Sequence, residues 1–186
     1  MRHGQSPIHG AGGNFLAGTR AGHATAATLA QAAPGETAVD GCVPKPSQVQ
    51  RADVIVVDTN TLAYLLIEGD RTPDAQALYE RDSDWIAPRL WEFEFQNILT
   101  TYSRANHLRI TTAQQIWASA TSLMAGRTYD INGEESLSVA ARLGITAYDS
   151  QFVSLAEQAD LPLITEDRAL RRKATCAMGI QSFLNT

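Results

Sequence analysis

Two acids stand where an open parallel sheet would do its chemistry. Asp58 directly follows the apolar run 54–57, and Asp167 lies two residues past a second run, 161–165. In such sheets ligands bind in the crevice beyond the carboxyl ends of the strands. A third acid, Asp149, opens a helix that starts near Tyr148, and a fourth would come from Glu92 or Glu94 on a long helix over 89–105. Each Asp alone is equally well explained as a helix cap. Two of them after two buried strands favour a shared site. Carboxylates gathered in one crevice repel one another and drive some pKa values up. Their oxygens suit hard cations such as Mg2+ and Mn2+. A cation there would lower the pKa of a bound water, orient it and shield phosphate oxygens. Metal-assisted phosphodiester hydrolysis is the chemistry such a set supports.

Periodicity does not choose the fourth acid. Glu92 and Glu94 flank the apolar stripe Trp91, Phe95, Ile98 and Tyr102 on opposite sides. A carboxylate beside such a stripe is commonly a solvated edge charge. Glu94 and Asn97 are three apart and share a face, where a buried amide could orient the carboxylate.

The elements that must position these acids alternate along the chain. Four β-branched residues at 54–57 read as a fully buried strand, and Asp58-Thr59-Asn60-Thr61 supplies the cap of a short helix that Gly69 stops. Thr72-Pro73-Asp74 starts a helix to about Arg81, and 84–88 is a short strand closed by Pro88. After the long helix, Thr111-Thr112 opens a helix carrying Ile116, Trp117, Ala120 and Met124. A loop is expected around 129–133, then a helix over 134–143 ended by Gly144. Tyr148, Phe152, Leu155 and Ala159 form the stripe of the next helix. A strand at 161–165, a short helix at 167–173 and a closing strand at 180–184 complete the order. Strands alternating with helices predict a three-layer α/β/α domain with a mainly parallel central sheet.

Composition bounds the rest. The 186 residues carry 15 Lys+Arg against 20 Asp+Glu, a net charge of −5, which argues against a general nucleic-acid coat but not against a local basic patch. Residues 1–53 hold 8 of the 13 Gly and 4 of the 7 Pro without helical or strand period, so they read as a disordered or non-native leader. The apolar stretch 24–33 is broken by Thr25, Thr28 and Gln31 and makes a weak signal peptide. Val54 reads as a natural start, with 1–53 translated from upstream or added, and 54–186 as the folding domain. No apolar run approaches the ~20 residues that span a bilayer, so a soluble cytoplasmic protein is expected. Cys42 and Cys176 are too few and too far apart for a disulfide framework or zinc site and read as free thiols in a reducing compartment.

Four fragments together resemble a known family. Val56-Val57-Asp58-Thr59-Asn60, then Glu94-Phe95-Gln96-Asn97-Ile98-Leu99, then Tyr148-Asp149 with Phe152 and Leu155-Ala156, then Pro162-Leu163-Ile164-Thr165-Glu166-Asp167 are similar in order and spacing to the PIN domain, above all to short VapC-type toxins. The resemblance spans about 54–184. It implies that Asp58, Glu94, Asp149 and Asp167 bind Mg2+ or Mn2+. Glu94 is preferred to Glu92 because the family pattern Glu-x-x-Asn is met by Glu94 and Asn97. Thr165 matches a hydroxyl that assists the last acid, and Asn60 a polar position after the first. The resemblance further implies an endoribonuclease, the toxin of a type II pair, held by a small antitoxin and forming a homodimer. Alternatives are an RNA-processing or structure-specific nuclease outside a toxin system, and a non-catalytic RNA- or protein-binding module. A carboxylate-Mg2+ phosphatase would want a late Lys where Thr165-Glu166-Asp167 stands.

Beside these acids, Arg168, Arg171, Arg172 and Lys173 could hold an RNA backbone, against the plainer reading of a solvated helix face. Arg89 and Arg104 are weaker candidates. Trp85, Trp91 and Trp117 fit apolar patterns and read as core or subunit interface, and His107 as a surface or helix-end residue. Gly10-x-Gly12-Gly13 has no preceding strand to make it a phosphate loop.

Overall fold

A computed structural model describes residues 54–186, so the leader, with Cys42 and the glycine cluster, lies outside the described residues. The chain runs β1 (Val54–Val57), α1 (Thr59–Leu66), α2 (Thr72–Arg81), β2 (Asp84–Pro88), α3 (Leu90–Arg104), α4 (Ile110–Leu123), β3 (Thr128–Tyr129), α5 (Gly133–Leu143), α6 (Ala147–Ala159), β4 (Leu163–Ile164), α7 (Arg168–Lys173), β5 (Ala177–Met178) and α8 (Ile180–Leu184). The five strands form one sheet in the order β3-β2-β1-β4-β5, and every pairing is parallel.

The β-branched run of β1 is what a central parallel strand requires, because both faces are covered. Ile55, Val56 and Val57 are buried, as are Trp85 and Ile86 of β2 and Leu163 and Ile164 of β4. Helices lie on both faces. α6 packs on β1, β2 and β4 and pairs with α5, while α1, α3 and α4 pack on one another. α3 buries Trp91, Phe95 and Leu99, and α6 buries Phe152, Val153, Leu155, Ala156 and Ala159. Each such large apolar side chain removed from water contributes about 1.5–3 kcal/mol. Trp85 and Trp91 belong to the core and Trp117 is half-buried against it, as their patterns predicted. Buried indole nitrogens find partners: Trp85 Nε1 donates to the Asp82 carbonyl at 2.7 Å, and Trp91 Nε1 to Thr128 Oγ1 at 2.9 Å.

Three local expectations change. The loop expected at 129 begins as β3, which sits beside β2 through Arg89 N–H to the Tyr129 carbonyl (2.8 Å) and Ala87 N–H to the Arg127 carbonyl (3.1 Å). Those donors flank Pro88, so its missing N–H costs nothing in the ladder. The run 180–184 is helix α8 rather than a closing strand. Ala177–Met178 pairs with β4 instead, and Ile180 plugs into the core as α8 packs on α2. A short apolar run fits either element, and here docking decides. Tyr148 does not head the α6 stripe; it is 64% exposed in the first turn.

Candidate active site

Strand order reverses at the β1/β4 pair, since β2 and β3 lie to one side and β5 to the other. Both strand ends carry acids there, at the crevice where open sheets bind ligands. Asp58 ends β1 and caps α1, its Oδ1 accepting from the Thr61 N–H at 2.7 Å. Its Oδ2 accepts from Thr165 Oγ1 at 2.5 Å, a bond that crosses from β4 to β1. The cap and the site are therefore one residue doing both. Burial pushes the Asp58 carboxyl above the usual carboxylate range. The bonds from Thr165 and Thr61 oppose that rise, and the charge of Glu166 adds to it.

Glu94 faces the same crevice from α3. Thr59 Oγ1 donates to its Oε2 at 2.5 Å. Its carboxyl is also raised, first by burial and then by the charges of Asp58 and Asp149, with the Thr59 bond opposing. Glu92 points elsewhere, into an exposed ion pair with Arg89, which also holds Asp130 through a 2.6 Å bond. The geometry thus separates two glutamates that periodicity left equivalent. Asn97 is exposed, so no buried amide orients Glu94; the hydroxyl of Thr59 does. Asn60 is exposed as well.

Asp149 is not the cap of α6. Thr146 is, accepting from the Asp149 N–H at 3.0 Å and donating its hydroxyl to Asp149 Oδ2 at 2.8 Å. Asp167 caps α7, its Oδ1 accepting from the Ala169 and Leu170 N–H groups at 2.6 and 2.8 Å, while its own N–H donates to Thr165 Oγ1 at 3.0 Å. Thr165 consequently links the first acid to the last.

Besides Thr146, three participants were given no role by the sequence. Thr59 is one; a hydroxyl directly after the first acid was its only mark. The others are Glu166, whose charge reaches Asp58, and Arg71, which pairs with Glu166 at 3.1 Å and with Asp74 at 3.1 Å and lies over the Tyr64 ring. Glu166 also accepts from the Ile180 N–H at 2.9 Å, tying α8 to this edge. Burial, then the charge of Asp58, push the Tyr64 phenol up, with Arg71 opposing and Glu166 adding. The basic run after Asp167 divides. Arg168 and Arg172 are exposed, Lys173 donates to the Gly144 carbonyl, and Arg171 lies across Gly179, where any Cβ would collide with its guanidinium. Arg104 and His107 are exposed, His107 with its ring edge against Tyr102. Cys176 is free and half-buried.

The donor set is all oxygen, and its buried members are held above their ordinary pKa. That is the chemistry a hard divalent cation relieves. Glu94 is bonded through Oε2, Asp149 through Oδ2 and Asp167 through Oδ1, which leaves the other oxygen of each for a ligand. As the side chains stand, no three His, Cys, Asp or Glu groups among the described residues are gathered closely enough to hold an ion. The residue types fit a cation, and gathering them around one would require side-chain rotation.

Residues 55–175 match the PIN domain family model. Ribonuclease VapC3 of Pyrobaculum aerophilum is 27% identical over 123 residues, covering 64% of this chain and 93% of its own length. The crystal structure of PAE2754 from Pyrobaculum aerophilum superposes with a TM-score of 0.59 over 72% of this chain and 88% of that one, at 23% identity, a likeness of fold.

Proposed function

The chain belongs to the PIN-domain family, and from that membership we propose that it is a Mg2+- or Mn2+-dependent endoribonuclease, the toxin of a type II toxin–antitoxin pair. The observation that best supports this reading is the Thr59 hydroxyl, next in the chain to Asp58, bonded at 2.5 Å to Glu94 of α3, whose carboxyl the charges of Asp58 and Asp149 also help to raise. The name of the relative, a ribonuclease, supports RNA as substrate. Asp58, Glu94, Asp149 and Asp167 would hold the cation. Bound there, it would supply an activated water and shield charge on the phosphate.

The chain's own residues do the positioning. Thr165 fixes Asp58 against the Asp167 backbone, Thr59 fixes Glu94, and Thr146 fixes Asp149. Each hydroxyl donates to a carboxylate, which favours the charged, ligating form against the burial that disfavours it. Arg168 and Arg172, exposed next to Asp167, would take RNA phosphates. The proposal includes a small antitoxin that blocks the crevice, a homodimer, and action in the cytoplasm. None of the helices among the described residues is long and apolar enough to cross a membrane.

The test is cleavage of RNA by purified protein with Mg2+ or Mn2+, with EDTA, and with two variants. Glu94→Gln should lower turnover by more than about 100-fold, beyond what outer partners of metal sites carry. Glu92→Gln should stay within about a factor of two, as expected from losing one exposed ion pair. Cleavage that persists in EDTA, or an inactive Glu92→Gln beside an active Glu94→Gln, would defeat the reading.

We propose 54–186 as the whole nuclease domain. This is supported by the sheet: among the described residues every neighbour of the central strand lies downstream of it. Deleting 1–53 should leave melting temperature and turnover unchanged. A truncated protein that melts several degrees lower would show that the leader packs on the domain.

A further inference from the structure

The geometry points to Phe93 and Tyr148 as stacking platforms that grip the bases of single-stranded RNA on either side of the bond to be cut. This rests on the ribonuclease reading and adds the residues that hold the bases. Among the described residues four large hydrophobic side chains are exposed: Phe93, Ile110, Leu137 and Tyr148. Only two of these are aromatic, and each directly precedes an acid of the site, Phe93 before Glu94 and Tyr148 before Asp149.

Successive residues on a helix project roughly 100° apart, so each ring stands on the shoulder of its helix beside the acid rather than under it. α3 leaves the carboxyl end of β2 and α6 leads into β4, so both helices begin at the carboxyl edge of the parallel sheet, and the two rings stand in their first turns. The fold does not use them. α3 buries Trp91, Phe95 and Leu99, and α6 buries Phe152 and its neighbours; neither Phe93 nor Tyr148 enters the ring contacts formed among the described residues.

Charge explains why uncharged rings suit this rim. The acids repel phosphate on the α3 and α6 side, and the exposed cations Arg168 and Arg172 lie beside Asp167 on α7. A strand crossing the crevice can be held by its backbone at α7 and by its base faces at α3 and α6. Stacking on aromatic side chains tolerates any base, because every base has a π-face. It requires bases that are splayed out, which single strands and loops offer and a duplex does not.

The experiment uses the full chain carrying Asp58→Asn, so that RNA is bound without being cut, with a short unstructured RNA oligonucleotide and the same oligonucleotide annealed to its complement. Phe93→Leu and Tyr148→Leu should each weaken single-strand binding roughly 5- to 150-fold, equivalent to about 1–3 kcal/mol of lost stacking. Phe93→Trp and Tyr148→Phe should restore it. The duplex should bind weakly and ignore all four changes. In the otherwise wild-type chain the Leu variants should raise KM and keep kcat.

Single-strand binding unchanged by both Leu variants would overturn the inference. So would Ile110→Ser and Leu137→Ser weakening RNA binding as much, or a change of oligomeric state in the Leu variants, since either marks an apolar contact surface for protein. If the wild-type chain cleaves no RNA, the ribonuclease reading fails by itself. If it cleaves and the Leu variants match it in KM, the stacking inference alone fails.

Discussion

Asp58→Asn is expected to abolish RNA cleavage while leaving the chain folded and, without metal, more stable than the wild type. The cap survives, because Asn keeps an oxygen to accept from the Thr61 N–H, and its amide can face Thr165. The loss of activity should exceed the roughly 10- to 100-fold typical of outer partners at metal sites, since Asp58 is the one buried candidate ligand and stands at the strand reversal. The gain in stability follows from the direction of its pKa. Burial raises the folded-state pKa above the unfolded value, so the folded chain binds more protons between those two values. Stability contributed by the neutral acid is present below the unfolded pKa and is lost as pH rises toward the folded pKa. Above the unfolded value the wild type therefore loses stability that Asn, with nothing to ionise, keeps. Melting in EDTA at neutral pH, set beside cleavage with Mn2+, checks both halves. A folded Asp58→Asn protein that still cuts RNA would sink the metal site.

The second large effect is on the wild type itself. Mg2+ or Mn2+ should bind the native acids and not the unfolded chain, stabilising by about 2.7 kcal/mol when free cation is ~100 times its Kd. For a domain of this size that is a rise in melting temperature on the order of 10 °C. The rise should fade as pH falls through the raised range of Asp58 and Glu94, because a protonated carboxyl no longer ligates. Asp149→Asn or Asp167→Asn should shrink it. An unchanged melting temperature at saturating Mn2+ would show that the acids do not gather around a cation, and that the rotation from their present rotamers does not occur.

The elements of the domain left unequal marks in the order of residues. β1 was legible because four β-branched residues have few other uses, and α3 because Trp91 and Phe95 repeat at helical spacing. β3 and β5 are two residues each, too short for any period, and exist because neighbouring strands offer them donors and acceptors. α8 and a closing strand were equally compatible with the residues 180–184; packing on α2 selects the helix.

The acids divide along the same line. Local order determined that Asp58 and Asp167 would follow strands and cap helices, since a cap is a relation within a few residues. Periodicity could not separate Glu92 from Glu94, which sit symmetrically about one stripe; the family pattern met by Glu94 and Asn97 preferred Glu94. The tertiary structure adds what surrounds each: Thr59 bonds Glu94 on one side of α3, and Arg89 with Asp130 holds Glu92 on the other. The same holds for the Thr165–Asp58 bond and the reach of Glu166. A strand order that reverses between β1 and β4 brings together residues more than a hundred positions apart, and electrostatic coupling depends on distance in space, to which spacing along the chain is blind.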